Sequence, residues 1–185
     1  MSKGKLIVMS GCSGVGKSTV LTQVMQQRDD LLFSVSATTR APRPGEQEGV
    51  SYYFVSQETF QSMIAEDAFL EYDGHMKNWY GTPKQQLEEK LARGNVLLDI
   101  EPKGAFAVRA SRPDATLIFI APPSMEELER RLRSRGDTSE DQIQARLARA
   151  RWEMEQSVHY DHVVVNEQVD TCADNILKII AQVAD

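Results

Sequence analysis

Short apolar runs alternate with amphipathic stretches along most of this chain of 185 residues. Apolar runs bounded by polar residues indicate buried strands, whereas apolar positions three and four residues apart indicate helices. Because the two patterns alternate, we predict an α/β fold with a mostly parallel core sheet of five strands. The predicted strands are Leu6–Met9, Phe33–Val35, Val96–Ile100, Thr116–Ile120 and His162–Val165.

Capping residues mark the predicted starts of several helices. Thr82-Pro83-Lys84-Gln85 places a capping threonine before proline and glutamine, a pattern typical of a helix N-terminus. Ser124 and Ser139 begin similar capping boxes, and Thr171 with Asp174 predicts the start of the last helix.

Two segments interrupt the alternation of strands and helices. Residues 36–82 contain strand-like runs at Ser51–Val55 and Phe69–Tyr72 and a helical pattern near Gln57–Glu66, and residues 124–156 form two charged helices. We expect both to lie at the carboxyl edge of the sheet, where open α/β folds bind ligands. The predicted single domain therefore has a core of residues 1–35, 83–123 and 157–185, an inserted lobe of residues 36–82 and a helical lid of residues 124–156.

Net charge argues against a broad polyanion-binding surface. The chain carries a formal charge of −6, so binding to nucleic acid or to an anionic membrane is not expected. Arginines cluster instead around Arg40–Arg43 and Arg130–Arg151, which favours small phosphorylated ligands held in pockets.

The two cysteines, Cys12 and Cys172, cannot build a disulfide framework, so we expect free thiols and a reducing compartment. The apolar stretch near the N-terminus is too short for a signal peptide or a membrane span, which favours a cytoplasmic protein. Cys12 could serve as an oxidisable switch, but a side chain without a redox role is the preferred interpretation.

The most specific local pattern is G-x-x-x-x-G-K-S/T, placed between a predicted strand and a predicted helix. It comprises Gly11, Cys12, Ser13, Gly14, Val15, Gly16, Lys17 and Ser18. In such a loop, backbone N–H groups and the helix N-terminus face a polyphosphate. Lys17 then reaches the β- and γ-phosphates, and Ser18 binds Mg²⁺. A glycine-rich turn that binds nothing is the alternative.

Acidic residues follow the strand Val96–Leu98. In phosphate-loop proteins an aspartate at this place holds Mg²⁺, and Asp99 fits that role, with a solvated strand end as the alternative. Glu101 lies two residues further on and points to the same side of an extended chain.

Two arginines and one carboxylate are candidate ligand contacts. Arg40 and Arg43 lie in a proline-rich loop, where guanidinium groups suit bidentate phosphate binding, although a solvated basic loop is possible. Glu71 lies inside an apolar run, and its carboxylate could accept the adjacent N1–H and N2 amino donors of guanine. The alternative is a solvent-facing glutamate.

The lid segment contains further basic candidates. Arg146 and Arg149 flank the apolar stripe of a helix and can stabilise transferring charge as arginine fingers do, unless they are only solvated. His159 and His162 lack the spacing of a helical zinc pair, so no metal role is expected for them.

The chain resembles guanylate kinases along nearly its whole length. The segment from Phe33 to Glu46 is the most specific match, and the other matching stretches are Gly11–Ser18, Tyr52–Ser56, Phe69–Tyr72, Tyr80–Pro83, Arg135-Gly136 and Tyr160–Asn166. Glu101-Pro102-Lys103 departs from the family, which usually has Asp-Trp-Gln there.

The resemblance implies that the chain phosphorylates GMP, and dGMP as well, with ATP and Mg²⁺, in a core, a GMP-binding lobe and a lid. It implies guanine contacts from Ser36, Glu71, Thr82 and Glu101, and GMP phosphate contacts from Arg40, Arg43, Tyr52 and Tyr80. Lys17, Arg135 and Arg146 would neutralise the transferring phosphoryl group, and Asn166 would lie near the adenine.

Three alternatives remain open in the sequence. A kinase for another small phosphorylated acceptor could use the same scaffold. A non-catalytic interaction module with the same fold is possible, although such modules tend to lose the phosphate loop. A GTPase is less favoured, because no Asn-Lys-x-Asp stretch is present. No oligomeric state is predicted.

Overall fold

A five-stranded parallel sheet forms the centre of the structure, a computed structural model that describes residues 4–75, 77–134 and 139–184. Its three middle strands are apolar and almost completely buried, which explains their continuous hydrophobic runs. The predicted parallel core of five strands is therefore confirmed. In spatial order the strands are β2 (Leu31–Phe33), β7 (Asn95–Asp99), β1 (Leu6–Gly11), β8 (Thr116–Ala121) and β9 (His162–Val165).

Helices cover the sheet on both faces. The first helix connects β1 to β2 and so runs towards the β2 edge of the sheet. The fourth helix connects β7 to β8 and so runs in the opposite direction, towards the β9 edge. Because such crossovers are right-handed, the two helices lie on opposite faces, giving three layers. The helices are α1 (Lys17–Gln26), α2 (Gln57–Ala65), α3 (Lys84–Leu91), α4 (Pro102–Ser111), α5 (Met125–Ser134), α6 (Glu140–Gln156) and α7 (Val169–Ala184).

The inserted segment forms a second sheet with its own small apolar core. Phe60 of α2 is fully buried and stacks on Phe69, with 4.4 Å between ring centroids. The sheet packs against α4 through its strand at Phe69–His75. In spatial order its strands are β4 (Tyr53–Phe54), β3 (Ala37–Thr38), β6 (Asn78–Pro83) and β5 (Phe69–His75).

The predicted strand Phe33–Val35 is wrong by two residues. The strand β2 covers Leu31–Phe33 and pairs with β7. Ser36 already accepts a hydrogen bond from the Tyr53 backbone N–H at 2.9 Å, so the chain has turned towards the second sheet by that point. The apolar run continues through Val35 because this crossing segment is buried as well.

The predicted helix start at Thr82 is also wrong. Thr82 belongs to β6, α3 begins at Lys84, and Pro83 occupies the capping position without a side-chain bond. The Thr82 hydroxyl donates instead to Glu71 on the neighbouring strand. The last helix begins at Val169, two residues before the predicted Thr171.

The predicted capping box at Ser139 is confirmed, since its hydroxyl accepts from the Gln142 backbone and the Gln142 side chain accepts in return. Ser124 accepts a hydrogen bond from the Glu127 backbone N–H at 3.1 Å. Within the described ranges, no helix is both long enough and apolar enough to span a lipid bilayer.

Candidate active site

The phosphate loop joins β1 to α1 at the carboxyl edge of the core sheet. Gly14 and Gly16 have φ of 87° and 91°, a left-handed conformation that residues with a Cβ adopt only under strain. A Cβ at Gly14 would also come within 2.6 Å of Leu132 on α5. The glycines of the motif are therefore required by backbone conformation and by close packing beneath the loop.

Two side chains from distant parts of the chain fix the backbone of this loop. Asn166, which follows β9, is buried and donates from Nδ2 to the Val15 carbonyl at 2.8 Å. Glu153 of α6 accepts a hydrogen bond from the Ser13 backbone N–H at 2.8 Å. Asn166, which the sequence predicts near adenine, thus lies directly beneath the phosphate loop.

The start of α1 brings a cation and a hydroxyl to the same edge as the acid after β7. Lys17 forms an ion pair with Asp99, and both side chains are about three-quarters buried. Ser18 is exposed at the first turn of the helix. Asp99 lies opposite Met9 in the parallel register of β1 and β7, which is why two segments distant in sequence meet here.

A depression surrounds the loop, and we call it the phosphate-loop depression. Residues 11–14 and 16–19 line one side, and α6 contributes Arg146, Arg149 and Glu153 to the other. Arg146 donates to the Ser13 hydroxyl at 3.4 Å. Three basic side chains, Lys17, Arg146 and Arg149, therefore line one depression at the N-terminus of α1, which suits binding of a polyphosphate. Arg135 lies outside the described residues.

A second cavity, of about 280 Å³, lies between the core and the second sheet, and we call it the Glu71 cavity. Lys17 and Glu101 line both this cavity and the phosphate-loop depression, so the two spaces adjoin. Six of the residues predicted to contact the acceptor or the metal line it, namely Ser36, Tyr52, Glu71, Tyr80, Asp99 and Glu101.

Glu71 is the buried acid of this cavity, with only 7% of its surface exposed. Its Oε1 accepts a hydrogen bond from the Thr82 hydroxyl at 2.5 Å, across the β5–β6 pair. Burial raises the pKa of Glu71 above the ordinary 4.5, although the Thr82 hydroxyl opposes that shift. A carboxylate held in this way can accept two parallel hydrogen bonds from a ligand.

The proline-rich loop places one arginine against Tyr52, which lines the cavity, and leaves the other exposed; neither arginine lines the cavity itself. Arg40 pairs with Glu46 at 2.7 Å and lies 5.4 Å from the ring centroid of Tyr52. Glu46 also accepts from the Arg43 backbone N–H at 2.7 Å, so it organises the loop. Tyr52 and Tyr80 contact edge to face, with centroids 6.0 Å apart.

Glu101 has a partner that the sequence does not predict. It is the residue before α4, and its carboxylate forms an ion pair with Arg149 of α6, which also binds Glu153. Arg149 thus connects the core to α6 beside the phosphate loop. Glu153 gave no signal in the sequence, because an isolated glutamate in a charged helix resembles its exposed neighbours.

The predicted metal ligands are Ser18 and Asp99. Among residues 4–75, 77–134 and 139–184 there is no cluster of three His, Cys, Asp or Glu side chains able to hold an ion. Ser18 and Asp99 offer hard oxygen ligands, which suits Mg²⁺ that keeps most of its coordination for water and phosphate.

Comparison with known proteins identifies the family. The model of the guanylate kinase family matches residues 3–183. A guanylate kinase from Synechococcus sp. (strain JA-3-3Ab) is 50% identical over 91% of this chain and 78% of its own length. One from Thermus thermophilus is 48% identical over 96% of this chain and 81% of its own.

A crystal structure agrees with the sequence comparisons. The guanylate kinase from Anaplasma phagocytophilum superposes with a TM-score of 0.79 at 34% identity, covering 99% of this chain and 87% of the other. The chain belongs to the guanylate kinase family and is a nucleoside monophosphate kinase.

Proposed function

We propose that this chain transfers the γ-phosphoryl group of ATP to GMP, and to dGMP, across the boundary between its two adjoining spaces. The observation that carries the proposal is the position of Lys17, which lines both the phosphate-loop depression and the Glu71 cavity. A cation at that boundary faces the β- and γ-phosphates of a donor and the phosphate of an acceptor together.

In this proposal the Glu71 cavity holds GMP. Glu71 accepts the N1–H and N2 amino donors of guanine, and adenine has no such pair of donors. Three other residues, Ser36, Thr82 and Glu101, complete the surroundings of the base. Four residues hold the acceptor phosphate, namely Arg40, Arg43, Tyr52 and Tyr80.

Thr82 acts through Glu71, since its hydroxyl already donates to Oε1. Glu101 is paired with Arg149, so we expect it to contact guanine only if that ion pair rearranges.

The phosphate-loop depression holds the ATP phosphates. Backbone N–H groups of the loop and the N-terminus of α1 supply the donors, and Asn166 keeps the loop in shape beneath them. Ser18 and Asp99 would hold Mg²⁺, which supplies electrostatic stabilisation of the phosphates when bound. Placing Asn166 near the adenine remains part of the proposal.

Phosphoryl transfer requires in-line positioning and stabilisation of spreading negative charge more than it requires covalent chemistry. Lys17 contributes a positive charge from the loop, and Arg146 contributes one from α6. We assign the same role to Arg135. Since Asp99 pairs with Lys17, a bound donor must share that lysine with the carboxylate.

The lobe of residues 36–82 and the lid of residues 124–156 remain proposed divisions of the domain. Closure of both on the core would exclude water and so limit hydrolysis of ATP. A reducing, cytoplasmic location is part of the same proposal, and the two free, buried cysteines are compatible with it.

An acceptor panel tests the proposal. ADP release is measured with Mg-ATP and GMP, dGMP, AMP, CMP or UMP, and a folded Lys17→Met variant serves as the inactive control. We expect rapid turnover with GMP and dGMP only. Equal rates with all five acceptors would exclude Glu71 as the residue that reads the base. ATP binding without turnover on any of them would favour an interaction module.

A further inference from the structure

Gly104 lies on α4 where the helix passes the buried carboxylate of Glu71. It is the third residue of that helix, is itself buried, and lines the Glu71 cavity. A Cβ at this position would lie 2.7 Å from Glu71 Oε2 and 3.3 Å from both Glu71 Cδ and Ile100 Cδ1. The first distance is shorter than real Cβ contacts, so a side chain here displaces the carboxylate or the helix.

Backbone conformation does not explain a glycine at this place. Gly104 is not among the described glycines with positive φ, and it has helical neighbours on both sides. Alanine has a higher helix propensity than glycine, so the helix alone would favour a Cβ. The space next to Glu71 is therefore the physical reason for the absence of a side chain.

The two oxygens of Glu71 have different neighbours. Oε1 accepts the Thr82 hydroxyl, and Oε2 lies in the space that the missing Cβ leaves open. We propose that Gly104 is a positioning residue for guanine specificity, because it lets Glu71 keep both oxygens in the orientation that the paired donors of guanine require. This inference rests on the proposed role of Glu71 as the residue that reads the base.

The test is a double-mutant cycle between Gly104→Ala and Glu71→Ala. In the otherwise native chain, we expect Gly104→Ala to raise KM for GMP at least tenfold and to reduce the preference for GMP over AMP. KM for ATP should stay within twofold, since Gly104 does not line the phosphate-loop depression. In the Glu71→Ala chain, the same substitution should change the remaining GMP kinetics less than twofold.

Gly74→Ala is the matched control. Gly74 lies on β5, the strand of Glu71, and a Cβ there meets the ring of Trp79 at an ordinary 3.5 Å. We expect KM for GMP to stay within twofold of the native value. A Gly104→Ala chain with native GMP kinetics, in an enzyme that phosphorylates GMP, would overturn the inference and leave the proposed function intact.

Thermal unfolding gives a readout that does not depend on activity. We expect Gly104→Ala to lower Tm in the native chain, because the carboxylate must move, and to leave it unchanged or raise it in the Glu71→Ala chain. Equal changes in Tm in both chains would show that the substitution acts elsewhere. A native chain that does not phosphorylate GMP would overturn the proposed function. The Tm values of the two single variants and the double variant would still report whether residue 104 contacts Glu71.

Discussion

Glu71 combines burial with a hydrogen bond from the Thr82 hydroxyl to Oε1, and its carboxylate keeps accepting capacity for a ligand. A site built on such hydrogen bonds rejects a molecule that lacks the donors by about 10⁴- to 10⁵-fold. We therefore predict that Glu71→Ala lowers kcat/KM for GMP by several orders of magnitude. Steady-state kinetics with varied GMP measure the effect.

Asp73→Asn is the control for that measurement, since Asp73 lines the same cavity from the same strand. We expect it to reduce kcat/KM far less than Glu71→Ala. Near-native phosphorylation of GMP by Glu71→Ala would remove Glu71 from the proposed site.

The pH dependence of nucleoside binding follows from the same residue. Burial raises the pKa of Glu71, so this carboxyl takes up a proton at a higher pH than an ordinary glutamate of pKa 4.5. The protonated form loses one acceptor, and affinity for guanine should therefore fall as the pH decreases through the raised pKa. Guanosine, used as a competitive inhibitor, avoids the titration of the GMP phosphate.

Glu71→Gln is the control for this pH profile, because the amide does not titrate. In this variant we expect guanosine to bind more weakly, with an inhibition constant that does not change with pH over the same acidic range. If the native chain and Glu71→Gln lose guanosine affinity equally as the pH decreases, the titrating group is not Glu71.

The two cysteine thiols are expected to be unreactive. Burial and the nearby Glu153 raise the pKa of the Cys12 thiol to about 12, and burial raises that of Cys172 to about 11. Since the thiolate is the nucleophile, neither should react with a disulfide reagent at pH 8 in the folded protein. The absorbance of the released reagent should show no rapidly reacting thiol in the folded protein and two reacting thiols after denaturation. One rapid thiol in the native protein would revive a redox role for Cys12.

Helix α6 is joined to the phosphate loop through Glu153, which is 2% exposed and binds both the Ser13 backbone and Arg149. We predict that Glu153→Ala destabilises the fold by about 1–3 kcal/mol, because it removes the acceptor of a partly buried backbone N–H. KM for ATP should rise and KM for GMP should change little. Chemical denaturation and steady-state kinetics provide the two measurements.

Glu155→Ala is the matched control, as Glu155 lies on the same helix with its side chain exposed. We expect a change in stability within about 0.5 kcal/mol. An equal loss of ATP affinity in both variants would show that the charge of α6, rather than the bond to Ser13, matters.

The local sequence pattern predicted an element correctly where the pattern and the tertiary environment favour the same secondary structure. Four core strands overlap closely with those observed, because buried parallel strands are continuous apolar runs. The strand β3 is only two residues long and leaves no pattern, and β6 was hidden by a threonine and proline that also suit a helix start. The hydroxyl of Thr82 has two possible partners, and the fold selects Glu71.

The candidate site was predicted in its parts but not in its connections. The phosphate loop and the acceptor residues have recognisable local patterns or a family resemblance. The Arg149 ion pairs, the bond between Glu153 and Ser13 and the space at Gly104 join residues that are far apart in sequence. Only the register of the strands and the packing of α4 and α6 bring them together.

The two adjoining spaces give the complete enzyme a geometric property that can be measured. If both nucleotides bind side by side, one molecule that links adenosine to guanosine through a chain of phosphates fills both spaces, and binding of the second end becomes intramolecular. We predict that it binds at least a hundredfold more tightly than GMP. It should compete with both ATP and GMP, as inhibition kinetics would show.

Adenosine linked to a second adenosine through the same number of phosphates is the control, because Glu71 should not accept its second base. Competition of the guanosine-linked molecule with only one of the two substrates would indicate that the spaces do not act as neighbouring sites.

The bond from Asn166 to the Val15 carbonyl spans 151 positions of the chain. A growing polypeptide on the ribosome therefore has its glycine-rich loop long before it has the amide that holds this loop in shape. Translation must proceed past the ninth strand, and that strand must dock, before the loop is complete. Nucleotide binding is thus one of the last properties that a newly made chain acquires. A chain released before β9 would contain the glycine-rich motif but not the hydrogen bond that fixes its conformation.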